Sequence, residues 1–165
     1  MEQHIDQVRK VFKKSGFNDK DIYRLASVLS RLETEVGSSK CWNVGDVQVL
    51  DKAFTTSHAY HPCYKGKNVN PLVLAIYNIF PDEENGEVML IRKSICKNYH
   101  CMNPRHLFYG DHIDLKIEKW KRKGVNIDKN KYTRILWMYK NNSKSMSYRK
   151  IANEFDLNYN VVRSI

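Results

Sequence analysis

The feature that most constrains the fold is a loop that brings two cysteines and a histidine together at five-residue intervals. It reads Cys96-Lys-Asn-Tyr-His-Cys101-Met-Asn-Pro-Arg-His106-Leu-Phe-Tyr-Gly110, with an Asn-Pro turn before the histidine. Zinc in a structural site takes about four Cys or His ligands in a tetrahedron, with no position left for water. The loop supplies three such ligands, so the sequence predicts a metal site whose fourth ligand comes from a distant segment.

The fourth ligand is open between two cysteines. The chain has four cysteines, and its N-terminus carries charges where a secretory signal would need an apolar run. We therefore expect an intracellular protein (cytoplasm or nucleoid, or nucleus in a eukaryote), whose cysteines stay thiols and act as metal ligands or buried apolar residues. Cys41 and Cys63 are the candidates, and spacing does not decide between them. Buried free thiols beside a surface histidine are the alternative interpretation.

Positive charge is concentrated in the last third of the chain. The net charge is +10, and residues 111–165 hold 13 Lys or Arg against 6 Asp or Glu, a net of +7 that leaves +3 for the first 110 residues. Counterion release from a phosphate backbone favours binding to such a surface, so nucleic acid is the leading partner class. A generally basic, solvated surface is the alternative. No run approaches the roughly 18 apolar residues of a membrane span. No strongly amphipathic basic helix stands apart from the motifs described below, so we expect no membrane partner.

The spacing of apolar residues predicts an α+β protein. Asn18 suits the cap of an early helix and Gly37 its stop, while Val47 and Val49 alternate as in a strand. Pro71 suits the first turn of a further helix. The expected elements are helices over 5–12 and 18–36, short strands within 42–64, a helix from Pro71 to Phe80, a turn at 82–86, a strand at 88–91, a helix at 111–122 and a polar linker at 125–131.

Residues 131–165 look like a helix-turn-helix. Ser147 can cap its second helix, and Ala152 and Val162 meet the ten-residue spacing of this module, whereas Asp156 stands where glycine is common. In such a module the last helix lies in the major groove with its early residues at base edges. By position, the expected base contacts are Asn158, Tyr159, Asn160 and Arg163, and the expected phosphate contacts are Arg149 and Lys150. A plain helical hairpin that caps the core is the alternative.

Three stretches together resemble a known family. They are Cys41-Trp42, then Tyr64-Lys-Gly66-Lys-Asn-Val69 before a helix, then Cys96-x4-Cys101-x-Asn103-Pro104-x-His106-Leu107-x-x-Gly110. They are similar to the zinc-binding HNH, or His-Me finger, homing endonucleases, many of which also carry a C-terminal helix-turn-helix. The resemblance implies a His-Me finger (ββα-metal) core with a structural Zn²⁺ held by Cys41, Cys96, Cys101 and His106, and it leaves Cys63 out.

The resemblance fails at the residues that would cut DNA. The family's general base is a histidine two residues before the first loop cysteine, where this chain has Ser94, and the family's metal-binding asparagine falls at Leu115. Serine is not an unaided base at neutral pH, and leucine cannot ligate magnesium. We therefore expect a chain that has lost its nuclease residues. The rival interpretation is an active metal-dependent endonuclease with substituted residues, for which His100, His112 and Asp114 lie nearby in sequence.

These features predict three modules: an N-terminal helical extension at 1–40, a zinc-containing His-Me finger-like domain at 41–124 and a helix-turn-helix at 125–165. The expected function is sequence-preferring binding of double-stranded DNA without cleavage, used to regulate transcription or replication. A mobile-element or bacteriophage origin would suit the resemblance. A host polymerase is a further candidate partner, in an adaptor role. Dimers are common in both families that the chain resembles, although no sequence feature demands a homodimer.

Overall fold

The elements of the chain are those of an α+β protein, in a computed structural model that describes residues 2–57, 61–82, 87–141 and 146–165. Within these residues the helices are α1 (Glu2–Lys14), α2 (Asp19–Glu35), α3 (Val44–Gln48), α4 (Asn70–Ile76), α5 (His112–Arg122), α6 (Lys129–Asn141), α7 (Tyr148–Glu154) and α8 (Tyr159–Arg163). The strands are β1 (Phe54–Thr56), β2 (Pro62–Tyr64), β3 (Lys67–Asn68), β4 (Met89–Arg92) and β5 (Leu107–Gly110). No helix in these ranges is long and apolar enough to cross a bilayer.

The chain divides into two compact units, Met1–Gly110 and Asp111–Ile165. The sequence had instead suggested modules that end at residues 40 and 124. The helices α1 and α2 contribute to one core with later segments of the first unit. That core consists of Val8, Phe12, Leu25, Val28, Leu29, Leu32, Trp42, Val44, Val47, Phe54, Tyr64, Val69, Leu72, Val73 and Met102.

The two N-terminal helices form where apolar spacing and capping predict them. The Asn18 side chain accepts a hydrogen bond from the Asp21 backbone N–H (3.3 Å), and the Asp21 carboxylate accepts one from the Asn18 N–H (3.2 Å). This reciprocal capping box satisfies two N–H groups that the first turn leaves without a helical partner. The α2 helix ends before Gly37, whose φ of +96° is a left-handed conformation that glycine adopts at little cost. Both predictions are confirmed.

The predicted strand at Val47 and Val49 is wrong, because Val44–Gln48 forms the short helix α3. The Asp46 carboxylate accepts a hydrogen bond from the Asn43 backbone N–H at 3.1 Å, which stabilises the first turn. Val44 and Val47 are buried, whereas Val49 is 85% exposed. The buried pair is spaced by three residues, as one helical face requires, so the two-residue alternation was coincidental.

A three-stranded antiparallel sheet, in the order β1-β2-β3, follows α3. Phe54 pairs with Tyr64 between the first two strands, and Tyr64 pairs with Lys67 across the next turn. That turn holds Lys65 and Gly66 at positive φ (47° and 78°), as a tight two-residue hairpin requires. Strands within residues 42–64 were predicted, and β1 and β2 confirm them, whereas β3 lies beyond that range.

The α4 helix begins as predicted but ends early. Pro71 lies in its first turn, where a missing N–H costs nothing. Its end is set by Asn78, which has a φ of +60°, and the Ile79 N–H returns to the Leu74 carbonyl at 2.9 Å. Ile79 and Phe80 therefore lie beyond the helix that was expected to carry them.

Strands β4 and β5 form an antiparallel pair that carries the Cys/His loop at its turn. Met89 pairs with Gly110, and Arg92 pairs with Leu107, so residues 93–106 connect the two strands. A short 3₁₀ turn, Pro104–His106, leads directly into β5. The predicted strand at 88–91 is confirmed, whereas the predicted turn at 82–86 lies outside the described residues from 83 onward.

The second unit has a small core of its own. Asp111 caps α5, since its side chain accepts from the Asp114 N–H (2.9 Å) while the Asp114 carboxylate accepts from the Asp111 N–H (3.0 Å). The expected polar linker at 125–131 is wrong in two respects: Ile127 is fully buried, and α6 already begins at Lys129. The core residues of this unit are Ile117, Ile127, Tyr132, Ile135, Met138, Ile151, Ala152 and Val162.

The last two helices are short and are joined by a tight turn. Ser147 caps α7 as predicted, with its hydroxyl accepting from the Lys150 N–H at 3.4 Å. After α7 the Leu157 N–H returns to the Ala152 carbonyl at 2.9 Å, and Asp156 between them has a φ of +50°. Aspartate tolerates this left-handed region better than most residues. The chain thus makes the turn for which glycine is common without having a glycine there.

Candidate metal centre and basic surface

Four side chains from two distant segments meet beside the β4–β5 loop. The Sγ atom of Cys41 lies 3.6 Å from Sγ of Cys96 and 3.7 Å from Nδ1 of His106. The Sγ atom of Cys101 lies 3.4 Å from the same imidazole nitrogen, and all four ligand atoms lie within 4.8 Å of one another. Cys96, Cys101 and His106 are buried and Cys41 is half-buried. The group could hold a metal ion.

Three of the distances between these atoms are close to those of a tetrahedral site. Metal–sulfur bonds of about 2.3 Å and metal–nitrogen bonds of about 2.0 Å put tetrahedral ligand atoms roughly 3.5 to 3.8 Å apart. The distances from Cys41 to Cys96 and to His106, 3.6 and 3.7 Å, lie in this range. The 3.6 Å between the two sulfur atoms is far longer than the roughly 2.05 Å of a disulfide bond. Three thiols and one imidazole are a donor set that suits zinc and leaves no position for water.

Buried Asn103 joins the two ligand-bearing segments. Its amide Nδ2 donates to the backbone carbonyls of Ser38 (2.8 Å) and Lys40 (2.6 Å), just before Cys41. Its Oδ1 accepts from the Arg105 N–H at 2.9 Å, at the start of the turn that presents His106. The sequence showed Asn103 only as part of a motif. Its position before a proline, in a segment where a cap is needed, was the signal for this role.

Further hydrogen bonds hold the loop against the Cys41 segment. The Met102 N–H donates to the Trp42 carbonyl at 3.0 Å, and the Trp42 indole N–H donates to the Gly37 carbonyl at 3.0 Å. The Asn98 amide donates to the Asn43 side chain. These contacts bring Cys41 to the three candidate ligands of the loop. None of them involves a metal ion.

Burial makes the thiols reluctant to ionise without a cation. Desolvation raises the pKa of Cys101 to about 12, and burial followed by the neighbouring Cys96 raises the pKa of Cys41. A bound cation stabilises thiolates, so metal binding at this site would release protons. The affinity of these four side chains for such a cation would therefore rise with pH.

Cys63 lies outside the group. It is in β2, where its thiol donates to the His61 carbonyl at 3.5 Å. The choice that spacing left open between Cys41 and Cys63 is decided by the fold, which brings Cys41 to the loop.

Ser94 and Leu115, where the resemblance would place a general base and a metal-binding asparagine, carry neither kind of side chain. Ser94 is half-buried just after β4, and Leu115 is a half-buried apolar residue in α5. His112 is exposed, and the Asp114 carboxylate is engaged by the Asp111 N–H and by Lys129 Nζ (3.3 Å). Among the side chains that the structure describes, His100, His112 and Asp114 belong to no group of three or more potential metal ligands.

The residues expected to contact DNA share one property in the second unit: all are exposed. They are Arg149, Lys150, Asn158, Tyr159, Asn160 and Arg163. Val161 and Val162 of the same short helix are buried, so α8 is held by its apolar side and presents its polar side to solvent. Asn158 caps α8, because its Oδ1 accepts from the Asn160 N–H at 2.8 Å.

Three tyrosines connect these helices through contacts that no sequence pattern predicted. The rings of Tyr139 and Tyr148 are stacked, with centroids 4.9 Å apart, and Tyr148 meets Tyr159 edge-on at 6.2 Å. The contacts link α6, α7 and the first residue of α8. They orient the start of α8 through ring packing, for which a helical pattern gives no signal because each tyrosine lies on a different helix.

A scan of the chain against models of protein families finds no match, and searches of curated proteins and of solved structures find none either.

Proposed function

We propose that this chain binds double-stranded DNA with sequence preference and does not cleave it. The observation that carries the proposal is α8, whose buried Val161 and Val162 fix the helix while Asn160 and Arg163 stay exposed. The helix belongs to a unit with a net charge of +7. A positive unit that presents hydrogen-bonding side chains on a short, well-held helix suits a duplex, in which phosphates supply affinity and base edges supply specificity.

The second unit acts in this proposal as a helix-turn-helix, with α8 as its recognition helix. Support comes from Ala152 and Val162, which are both buried in the core of this unit. The positive φ of Asp156 and the hydrogen bond from Leu157 to Ala152 make the turn between α7 and α8 tight. A small residue in the second helix and a tight turn let the last helix cross closely enough to enter a major groove.

Base contacts fall to Asn160 and Arg163. A bidentate contact of asparagine with adenine needs both the oxygen and the NH₂ of the amide. The Oδ1 of Asn158 already accepts the cap hydrogen bond, so Asn158 serves the helix rather than a base. Arginine can bond guanine through two donors, as Arg163 would. The exposed side chains of Arg149 and Lys150 contact DNA phosphates. Tyr159, whose ring meets Tyr148 edge-on, lies beside the DNA backbone.

The metal centre has a structural role in this proposal. Cys41, Cys96, Cys101 and His106 hold Zn²⁺ in a closed site, with the β4–β5 pair as the strand pair of a His-Me finger-like core. The ion supplies folding free energy rather than chemistry. Hydrolysis would need a general base and an oxygen ligand for a divalent ion, and Ser94 and Leu115 supply neither. A binding protein of this kind would regulate transcription or replication, alone or with a polymerase, as a relative of a mobile-element or bacteriophage nuclease.

A binding experiment with two arginine variants tests the DNA interaction. After selection of a preferred duplex from a random pool, Arg163→Ala should weaken binding to it by about 1 to 3 kcal/mol and reduce the preference over unrelated duplexes. Arg134→Ala is the matched control, because Arg134 is in the same unit, is 68% exposed and pairs with Glu154 at 3.4 Å. Equal losses on all duplexes from Arg163→Ala would reassign that residue to a phosphate.

A cleavage assay tests the second half of the proposal. Supercoiled plasmid should remain intact with the purified protein in magnesium or manganese. Metal-dependent nicking that disappears in His100→Ala, His112→Ala or Asp114→Asn would replace the binding-only function with that of an active endonuclease.

A further inference from the structure

We propose that the metal-holding loop is itself a second contact surface for the phosphate backbone of the bound duplex, an inference that rests on the proposed function. Residues 88–110 contain four Lys or Arg and no Asp or Glu. Their net charge of +4 exceeds the +3 of the whole segment 1–110, so the remainder of that segment is slightly acidic. The positive charge of the first unit is thus concentrated on the β4–β5 pair and its loop.

The charge stays positive when the metal centre is included. Three thiolates and a divalent ion together carry one negative charge, which the four cations outnumber. One of those cations, Arg105, is 67% exposed and lies 3.9 Å from Glu33, so it is partly neutralised. In the described part of the chain no acidic side chain forms an ion pair with Lys93 or Lys97. These two lysines supply the charge that a phosphate would meet.

The exposed side chains of the loop stand on a well-fixed backbone. Ile95 is 75% exposed and Tyr99 is 68% exposed, Lys97 between them is exposed, and Lys93 is half-buried. The Lys93 N–H donates to the His106 carbonyl at 2.9 Å, and the Cys96 N–H donates to the Lys93 carbonyl at 3.0 Å. Cys96 is buried among the ligands, so the chain turns inward at the ligand and outward on both sides of it.

Arg92 makes two contacts with Tyr99. The guanidinium Nη2 donates to the Tyr99 carbonyl at 2.6 Å, and its carbon lies 5.8 Å from the centroid of the Tyr99 ring. The hydrogen bond restrains the backbone at Tyr99, and the cation–π contact favours one position of the ring. The exposed ring offers a hydroxyl donor on the same loop as the two lysines.

A loop that carries lysine and tyrosine donors and no Asp or Glu matches a phosphate backbone more closely than a protein surface. Lys and Tyr side chains and backbone N–H groups are among the donors that contact phosphate and sugar, and such contacts set position without reading sequence. The apolar Ile95 would lie against deoxyribose. The loop therefore adds affinity for any duplex, whereas α8 adds the preference for one sequence.

The salt dependence of binding distinguishes this surface from the rest of the chain. Binding of a labelled duplex would be measured by fluorescence anisotropy between 50 and 200 mM salt for the wild type and for Lys93→Ala/Lys97→Ala. Each phosphate contact contributes about −0.9 to the slope of log K against log salt, so the double variant should bind with a slope about 1.8 units shallower. Its loss of affinity should be equal for preferred and unrelated duplexes. Metal content and melting temperature serve as folding controls, because alanine keeps the backbone hydrogen bonds of Lys93.

The matched control is Lys20→Ala/Lys52→Ala, which removes two exposed lysines that adjoin acidic residues of the same unit. It should leave the slope near that of the wild type. An unchanged slope for Lys93→Ala/Lys97→Ala, or the same reduction for both double variants, would overturn the inference. In either case a sequence-specific loss from Arg163→Ala would leave the proposed function standing. Failure of the wild type to bind any duplex would overturn both.

Discussion

The two units of the chain obtain their structure in different ways. In Met1–Gly110 the candidate metal ligands Cys41 and Cys96 are 55 residues apart, and Cys41 and His106 are 65 apart, so the site exists only after distant segments have met. In Asp111–Ile165 the helices carry local caps at Asp111 and Ser147, and a small set of apolar residues packs between them. The candidate site of the first unit depends on contacts between distant segments, whereas the helices of the second unit depend on local signals.

This difference predicts where each unit is vulnerable. A closed metal site concentrates much of the folding free energy of a unit in four side chains, because binding energy of the ion is folding energy. A helical unit with a small core spreads its stability over many contacts, so one truncation removes only part of it. Single substitutions should therefore affect the two units very unequally.

The largest effect is expected from Cys101→Ser. Structural zinc contributes about 10 to 16 kcal/mol in small peptides, which is as large as the whole stability of many domains. The variant should lose its metal and the cooperative melting of the first unit, as measured by elemental analysis and circular dichroism. Cys63→Ser is the matched control, since Cys63 is buried but outside the group, and it should keep its metal. Native melting and metal content in Cys101→Ser would show that the centre is not structural.

A smaller loss is expected from Ile151→Ala in the second unit. Ile151 is fully buried in the small core, and truncation of such a residue costs about 2 to 5 kcal/mol. DNA binding should fall in proportion to the unfolded fraction, while metal content stays constant. Measuring both on one sample also tests the comparison: loss of metal together with DNA binding would mean that the two units unfold as one.

The smallest effect concerns Asp111 at the start of α5. A hydrogen bond from Lys129, followed by one from the Asp114 N–H, lowers the pKa of Asp111 from 3.8 to about 2. A depressed pKa stabilises the fold above the unfolded value, and this contribution is lost as the pH falls from about 4 toward 2. Because the side chain is 38% exposed, screening keeps the effect below about 1 kcal/mol.

Amide hydrogen exchange of α5 would detect that change. Protection of the first turn should decrease below pH 4 in the wild type and change less in Asp111→Asn, which keeps a capping oxygen but has no charge. Identical pH profiles for the two proteins would show that the ion pair with Lys129 does not stabilise the helix.

Features that rest on neighbouring residues could be predicted from the sequence. Asn18 has its capping partner three residues away, and the helix stop at Gly37 needs only a positive φ. The predicted start and end of α2 were therefore correct. The helix α3 was missed because Val44 to Val49 is too short to separate periods of two and three, and only its burial shows which face is inside. Ile127 was missed because Val125 and Ile127 are too few apolar residues to define a period.

For the candidate site too, only the part that lies close together in sequence could be predicted. Three ligands share one loop and are visible as a motif, whereas nothing in the spacing distinguishes Cys41 from Cys63. The resemblance to a family selected Cys41, and the fold brings that residue to the loop. Contacts such as the stacking of Tyr139 on Tyr148 join separate helices, so they follow from packing that no local pattern records.

Asn103 has a consequence for the rate of metal exchange. Its hydrogen bonds to Ser38 and Lys40 span 65 and 63 residues and do not involve the ion. Closing a flexible loop of that length costs about 4 kcal/mol, so a closed loop raises the effective concentration of the Cys41 thiol at the other three ligands. A metal ion bound at this site would then pass to a chelator faster from Asn103→Ala than from the wild type, even where the equilibrium fold is kept.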